Sequence, residues 1–181
     1  MEHFYQNIGP ENWFNYEDLY AFVVNKFPTN SHFVEIGSWK GRSAAFMAVE
    51  ICNSNKNIKF DCIDTWEGSV EHRDDDNIKL NNLFNVFAKN VEPAKQYINP
   101  LRFKSTEASK FYQDRSLDFV FIDACHEYEC VKEDIIHWLP KIAPNGILAG
   151  HDADWEGVQR AVSELIPNAK RVSRSCWIIE L

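Results

Sequence analysis

The run FVFIDACHEYECVKEDI, Phe119 to Ile135, ends an apolar stretch on Asp123 and sets His126 three residues later, where the pattern turns helical. A second apolar run, ILAGHD, closes on His151 and Asp152. Carboxylates are hard oxygen ligands of the kind magnesium prefers, and an imidazole titrating near neutrality is a natural proton acceptor. Together they suit the activation of a hydroxyl group. A cation lowers the pKa of the oxygen it binds, and a base that removes the proton adds ~10²–10⁴ in rate. On this reading Asp123 and Asp152 are metal ligands, and Asp123 and His126 are the catalytic pair, with His126 as the base.

Plainer readings exist for each residue alone. Asp123 would serve as a cap for the helix beginning near Glu127, and His126 would be a solvated loop residue. The company of His151 and Asp152 argues for chemistry instead. In CHEYEC, Cys125, His126 and Cys130 give three zinc ligands where a closed site needs four. Five cysteines, with no CxxC pair, read as reduced thiols.

A different chemistry belongs to EIGSWKGRS, Glu35 to Ser43, where Gly37 and Gly41 follow a strand and open a helix. Glycine there lets backbone approach a ligand, and the helix start offers unpaired amides to an anion. The spacing is neither GxGxxG nor a phosphate-loop GxxxxGK[ST], which weakens a pyrophosphate reading. Asp64 ends the next strand, where a carboxylate can accept both hydroxyls of a ribose through charge-assisted bonds of ~1.5–3 kcal/mol each. An adenosine-bearing ligand fits these residues.

Elements that alternate strand and helix must position the groups. Asn15 to Phe27 carries a helical stripe at Leu19, Phe22, Val23 and Phe27, closed by Pro28. SHFVEIG and IKFDCID are strands about a helix, GRSAAFMAVEIC, which makes a βαβ unit. Asn77 to Val91 has Leu80, Leu83, Phe84, Phe87 and Val91 on one face; LRFKS is a third strand and TEASKFYQ a short helix. LDFVFIDA is nearly all apolar, as a central parallel strand covered on both faces must be. Helices follow over Glu127–Leu139 and Glu156–Ile166 on either side of a fifth strand in PNGILAGHD, and RVSRSCWIIEL folds as two short strands about Arg174. Such alternation predicts an α/β fold with a mostly parallel sheet and helices on both faces. Ligands in these sheets bind beyond the strand carboxyl ends. Those exits carry Glu35, Asp64, Ser105, Asp123, His151 and Asp152.

At 181 residues, 45% apolar and 14% aromatic, the chain has the make-up of one compact domain. A net charge of −8 argues against nucleic acid and anionic membrane as partners. No apolar run reaches the ~18 residues of a spanning helix, and the expected location is cytoplasmic. His3, His32, His72 and His137 lack acidic company of the kind described above and read as surface or helix residues; VEHRDDDN reads as a solvated acidic loop.

ExGxxxGxS, the acid ending the second strand, LDFVFIDACHEY and PNGILAGHD together resemble the class I S-adenosylmethionine-dependent methyltransferases, over about Phe33 to Glu164. Within them the chain is most similar to small O-methyltransferases related to catechol O-methyltransferase and the macrolide sugar methyltransferases. The resemblance implies a Rossmann-like sheet of seven strands with an antiparallel C-terminal hairpin. It also implies one methyltransferase domain over 1–181, with an N-terminal helical segment (1–30) and a helical insertion (65–99). Trp66 to Asn77 would then form part of a lid. S-adenosylmethionine would lie along Glu35, Gly37, Ser38, Trp39, Gly41 and Ser43, with Asp64 on the ribose, Trp66 stacking or packing beside it, Ser105 near the adenine, and Asp123 at the reacting end. Metal-dependent relatives use three carboxylate or amide ligands, and alignment sets the third at His151 or Ala153. Magnesium disfavours imidazole. Either a softer divalent metal binds, or water takes the third place, or no metal binds and His126 works with Asp152 alone. The implied partner is a small hydroxyl compound or sugar, and a homo-oligomer stays open. An NAD-linked oxidoreductase and a non-catalytic cofactor-binding subunit are the competing readings.

Overall fold

The computed structural model describes residues 1–9, 13–68, 76 and 82–181. Seven strands, β1 (His32–Ile36), β2 (Lys59–Asp64), β3 (Asn99–Arg102), β4 (Leu117–Ile122), β5 (Ile142–Gly150), β6 (Lys170–Val172) and β7 (Cys176–Glu180), form one sheet. Their order is β3-β2-β1-β4-β5-β7-β6. The first five run parallel, and β7 is antiparallel to both β5 and β6. The chain reverses direction across the sheet between β1 and β4, which opens a crevice above their carboxyl ends.

Helices cover both faces. α1 (Glu17–Lys26), α2 (Arg42–Ser54) and α3 (Leu83–Val91) pack on one, against Phe33, Phe60, Phe119 and Phe121. The short α4 (Ser105–Ala108), α5 (Tyr128–Trp138) and α6 (Glu156–Leu165) lie with the other, against Val34, Ile63, Val120 and Ile122. Side chains alternate across a strand, so β4 feeds one core through Phe119 and Phe121 and the other through Val120 and Ile122. This is why its sequence from Phe119 to Ile122 is apolar without a break.

The pairing register levels the strand ends. Ile36 pairs with both Ile63 and Ile122, and Ile122 with Gly150. Gly37, Asp64, Asp123 and His151 therefore leave the sheet side by side.

Three expectations need correction. The third strand is Asn99–Arg102, earlier than LRFKS, and Ser105 instead begins α4. The alternation of Leu101 and Phe103 suggested a longer strand, yet Phe103 is exposed; β3 is an edge strand, where Pro100 is tolerated. Phe22 is exposed, and α1 buries Leu19, Tyr20, Val23 and Val24. His32 is not a plain surface residue, since its Nε2 lies 2.7 Å from the buried Asp61 carboxylate. His72, Leu80, the acidic loop and most of the expected lid lie outside the described residues. Among the described residues no helix is long and apolar enough to cross a membrane.

Candidate active site

The first turn after β1 is built around Gly37, whose φ is +89°. A Cβ there would meet the Asp123 carbonyl oxygen at 2.0 Å, so only glycine lets the β1 and β4 exits close on one another. Gly37 N–H donates to Ile63 O and Asp123 N–H to Ile36 O, both at 2.8 Å, which stitches three strand exits together.

Asp64, at the end of β2, accepts the backbone N–H of Trp39 at 2.8 Å and of Trp66 at 2.7 Å. Burial raises its pKa against these amide bonds. Both tryptophans have positive φ, 46° and 51°, a strained state for a bulky residue that a site commonly retains. The result is a carboxylate fixed in direction at the lip of the crevice.

Across the switch point the loop after β4 meets the exit of β5. His126 Nε2 lies 2.8 Å from Asp152 Oδ2, and the His126 ring packs on Trp155 with centroids 4.6 Å apart. His151 Nδ1 is 3.2 Å from Asp152 Oδ2 and 3.6 Å from Asp123 Oδ1. Burial alone would lower His151, but the two carboxylates reverse this and carry it up to about 10, so it is an imidazolium at neutral pH. Burial works against the Asp152 charge too, and the two imidazoles outweigh it, holding Asp152 well below the usual carboxylate range.

These groups share one cleft of about 880 Å³, toward the upper end of the roughly 300–1,000 Å³ usual for ligand sites. Its wall includes Gly37, Ser38, Trp39, Ser43, Asp64, Ser105, Asp123, His126, His151 and Asp152. Three residues of the cofactor reading are absent from that wall. Glu35 is buried behind it and accepts the Tyr20 hydroxyl at 2.6 Å. Burial pushes its pKa up to about 7 against the Tyr20 bond and the neighbouring Ser38 and Ser43 hydroxyls. Gly41 forms the left-handed start of α2 and packs on Val91 and Phe87. Trp66 is buried against Phe84 and Phe87, and its indole N–H donates to Trp39 O at 2.9 Å; it packs and does not line the cleft.

Sequence reasoning missed Asn15, Tyr16, Phe103 and Trp155, all of which line the cleft. Tyr16 and Tyr20 sit one helical turn apart beside the stripe read from α1, which was the one available signal. Phe103 and Trp155 left none, because an exposed aromatic has no periodicity.

The chemistry of the wall fits the implied ligands to different degrees. An acid fixed at the β2 exit, serines at Ser43 and Ser105, and the cleft volume fit an adenosyl donor. For a cation, Asp123, His126 and Asp152 each offer one ligand atom, all within 4.8 Å of one another. Two carboxylates and an imidazole suit a borderline divalent metal better than magnesium. His126, rather than His151, supplies the nitrogen of that set.

A seven-stranded sheet in this order, with its acids gathered over the switch point, is the architecture that the resemblance to class I S-adenosylmethionine-dependent methyltransferases implied. A family model described as a methyltransferase domain matches residues 34–153, and the chain belongs to that family. A curated relative, the uncharacterized protein y4gI of Sinorhizobium fredii, is 28% identical over 121 residues, 67% of this chain; the chain spans 13% of that relative's length. Among solved structures the O-methyltransferase NovP is similar at 14% identity and a TM-score of 0.68, covering 91% of this chain and 78% of its own. CalS11, a TDP-rhamnose 3'-O-methyltransferase, is similar at 15% and 0.64, covering 91% and 76%. An O-methyltransferase from Bacillus cereus in complex with SAH is similar at 14% and 0.62, covering 97% and 86%.

Proposed function

We propose that the chain transfers a methyl group from S-adenosylmethionine to an oxygen of a small hydroxyl-bearing metabolite, with a sugar hydroxyl as the favoured acceptor. The observation that carries this reading is the sharing of one cleft by Asp64 on the donor side and the His126–Asp152 pair on the other. The folds of NovP and of the TDP-rhamnose methyltransferase support oxygen as the accepting atom, and the latter supports a sugar.

Bound in the cleft, S-adenosylmethionine supplies an electrophilic methyl carbon. Asp64 orients the donor through its ribose hydroxyls, and Ser105 faces its adenine end. Holding the two reactants in line can supply ~7–11 kcal/mol of the barrier. His126 takes the acceptor's hydroxyl proton as the oxygen bonds to carbon, and Asp152, 2.8 Å from Nε2, balances the imidazolium that forms. His151 sets its positive charge 3.2 Å from Asp152 Oδ2 and 3.6 Å from Asp123 Oδ1, between the two carboxylates on the acceptor side. In place of this base, Asp123, His126 and Asp152 would hold a divalent cation, which would supply a lower acceptor pKa.

The test is a gain of one methyl mass over a panel of sugars, phenols and amines in the presence of S-adenosylmethionine, with and without chelator. Activity indifferent to chelator would remove the cation and keep the His126–Asp152 base. S-adenosylhomocysteine at about 100 times its dissociation constant should stabilise the fold by ~2.7 kcal/mol. Stabilisation by NAD alone would overturn the reading in favour of an oxidoreductase.

A further inference from the structure

The segment Asn15–Tyr20 enters the molecule ahead of the sheet and has no role in the chemistry described so far. Yet it touches three groups at three strand exits. Asn15 Oδ1 lies 3.2 Å from His151 Nε2, the Tyr16 hydroxyl donates to Asp123 Oδ2 at 2.8 Å, and the Tyr20 hydroxyl donates to Glu35 Oε2 at 2.6 Å. Both phenols are buried, at 2% and 0% exposure. Their burial is what makes the bonds count, because a phenol shut away from water must find a polar partner and a carboxylate accepting it is held in one orientation.

Tyr16 is the centre of the arrangement. It is the residue immediately before α1, and its ring packs between Phe121, at 4.6 Å, and His151, at 5.0 Å. With Oδ2 of Asp123 engaged by the phenol, Oδ1 is the oxygen turned toward His151, 3.6 Å from its Nδ1. We propose that Tyr16 is a positioning residue of the transferase site, which fixes the Asp123 carboxylate so that one oxygen alone serves the acceptor side of the cleft, with Asn15 holding His151 in the same way. Tyr16 itself reaches no reacting atom; it acts through Asp123. The inference rests on the proposed methyl transfer for its kinetic consequence but not for its geometry.

The experiment compares Tyr16→Phe with Val24→Ala, which removes buried volume from the helix that follows Tyr16 at a residue that does not line the cleft. A crystal structure of Tyr16→Phe is expected to show the Asp123 carboxylate turned from its wild-type orientation, and an unchanged carboxylate would overturn the proposal whatever the enzyme transfers. In kinetics, Tyr16→Phe is expected to lower kcat about tenfold with donor KM and S-adenosylhomocysteine affinity within about twofold, whereas Val24→Ala lowers Tm and leaves kcat alone. Equal kcat losses in the two variants would reduce Tyr16 to a core residue and sink the idea. A wild-type protein that transfers no methyl group would instead refute the proposed function, and the orientation of Asp123 would still decide this point. Should Tyr16→Phe not fold, Asn15→Ala makes the same test through His151, with an expected kcat loss of about threefold; wild-type turnover would then overturn it.

Discussion

His126 Nε2 stands 2.8 Å from Asp152 Oδ2, which ties the loop after β4 to the exit of β5. Asp152 reaches it from a left-handed backbone, with φ of 54°. Aspartate and asparagine adopt that conformation far more readily than bulky residues. Asp152→Asn should therefore keep the turn while losing the charge that steadies the imidazolium. A charge-assisted bond of about 1.5–3 kcal/mol corresponds to a fall of roughly 10- to 150-fold in kcat. His126→Ala should cost ~10²–10⁴. Steady-state kinetics beside calorimetric titration with S-adenosylhomocysteine checks both, because donor affinity should stay within about twofold; wild-type turnover in either variant would exclude the base.

Asp64 meets the donor end of the cleft with its orientation already set by the amides of Trp39 and Trp66. Asp64→Ala removes the acceptor for those amides and for two ribose hydroxyls. Two bonds of about 1.5–3 kcal/mol each predict at least a 100-fold loss of S-adenosylhomocysteine affinity, measurable by calorimetry. An unchanged affinity would show that the ribose lies elsewhere.

Glu35 yields a prediction on stability. Burial raises its pKa from 4.5 to about 7 in the folded chain. Below the unfolded value the carboxyl is protonated in both states and costs nothing. As pH rises from there toward 7, the unfolded chain releases its proton and the folded chain holds it, so stability falls by about 1.4 kcal/mol per unit, about 3 kcal/mol in all. Glu35→Gln cannot titrate. Urea unfolding at about pH 5 and about pH 8 should show the variant gaining on the wild type as pH rises, and a difference independent of pH would mean that Glu35 stays ionised in the fold.

Much of this arrangement was legible before any coordinates. A mostly parallel sheet covered on both faces follows from alternation and the handedness of crossovers, and the exits follow from apolar runs that end on Asp64, Asp123 and His151. The acids and histidines of the site stand at those ends, so their convergence was readable too. What stayed hidden is of two kinds. Glu35 lies one residue before the end of β1, and the side-chain alternation of a strand turns it toward Tyr20 and away from the cleft. Period and position along the strand were known, but which face α1 would cover was not. The imidazole beside the two acids was open for a related reason: His151 and His126 are equally polar in sequence, and only the loop after β4 brings His126 within reach of Asp123 and Asp152 as well. Tyr16 and Asn15 belong to a segment whose contacts with β4 and β5 span more than 100 residues, a distance at which local patterns carry no information.

Gly157 is the least expected residue on which the base depends. It lies in the first turn of α6, where helix propensity alone favours alanine over glycine by ~1 kcal/mol. The contact decides otherwise. A Cβ at this position would fall 2.3 Å from the His126 carbonyl oxygen and 2.7 Å from Tyr128 N, both backbone atoms that no rotamer change can move aside. Gly157→Ala must therefore push the loop carrying His126 away from α6, and with it the imidazole from Asp152. A displacement of about 1 Å at a reacting group costs on the order of 10² in rate, while Asp64 and the donor end of the cleft are untouched. The expected result is kcat lowered about 100-fold with S-adenosylhomocysteine affinity within about twofold of the wild type. If kcat instead holds while Tm rises, the helix has absorbed the methyl group, and the close packing of α6 on the loop does not govern the position of His126.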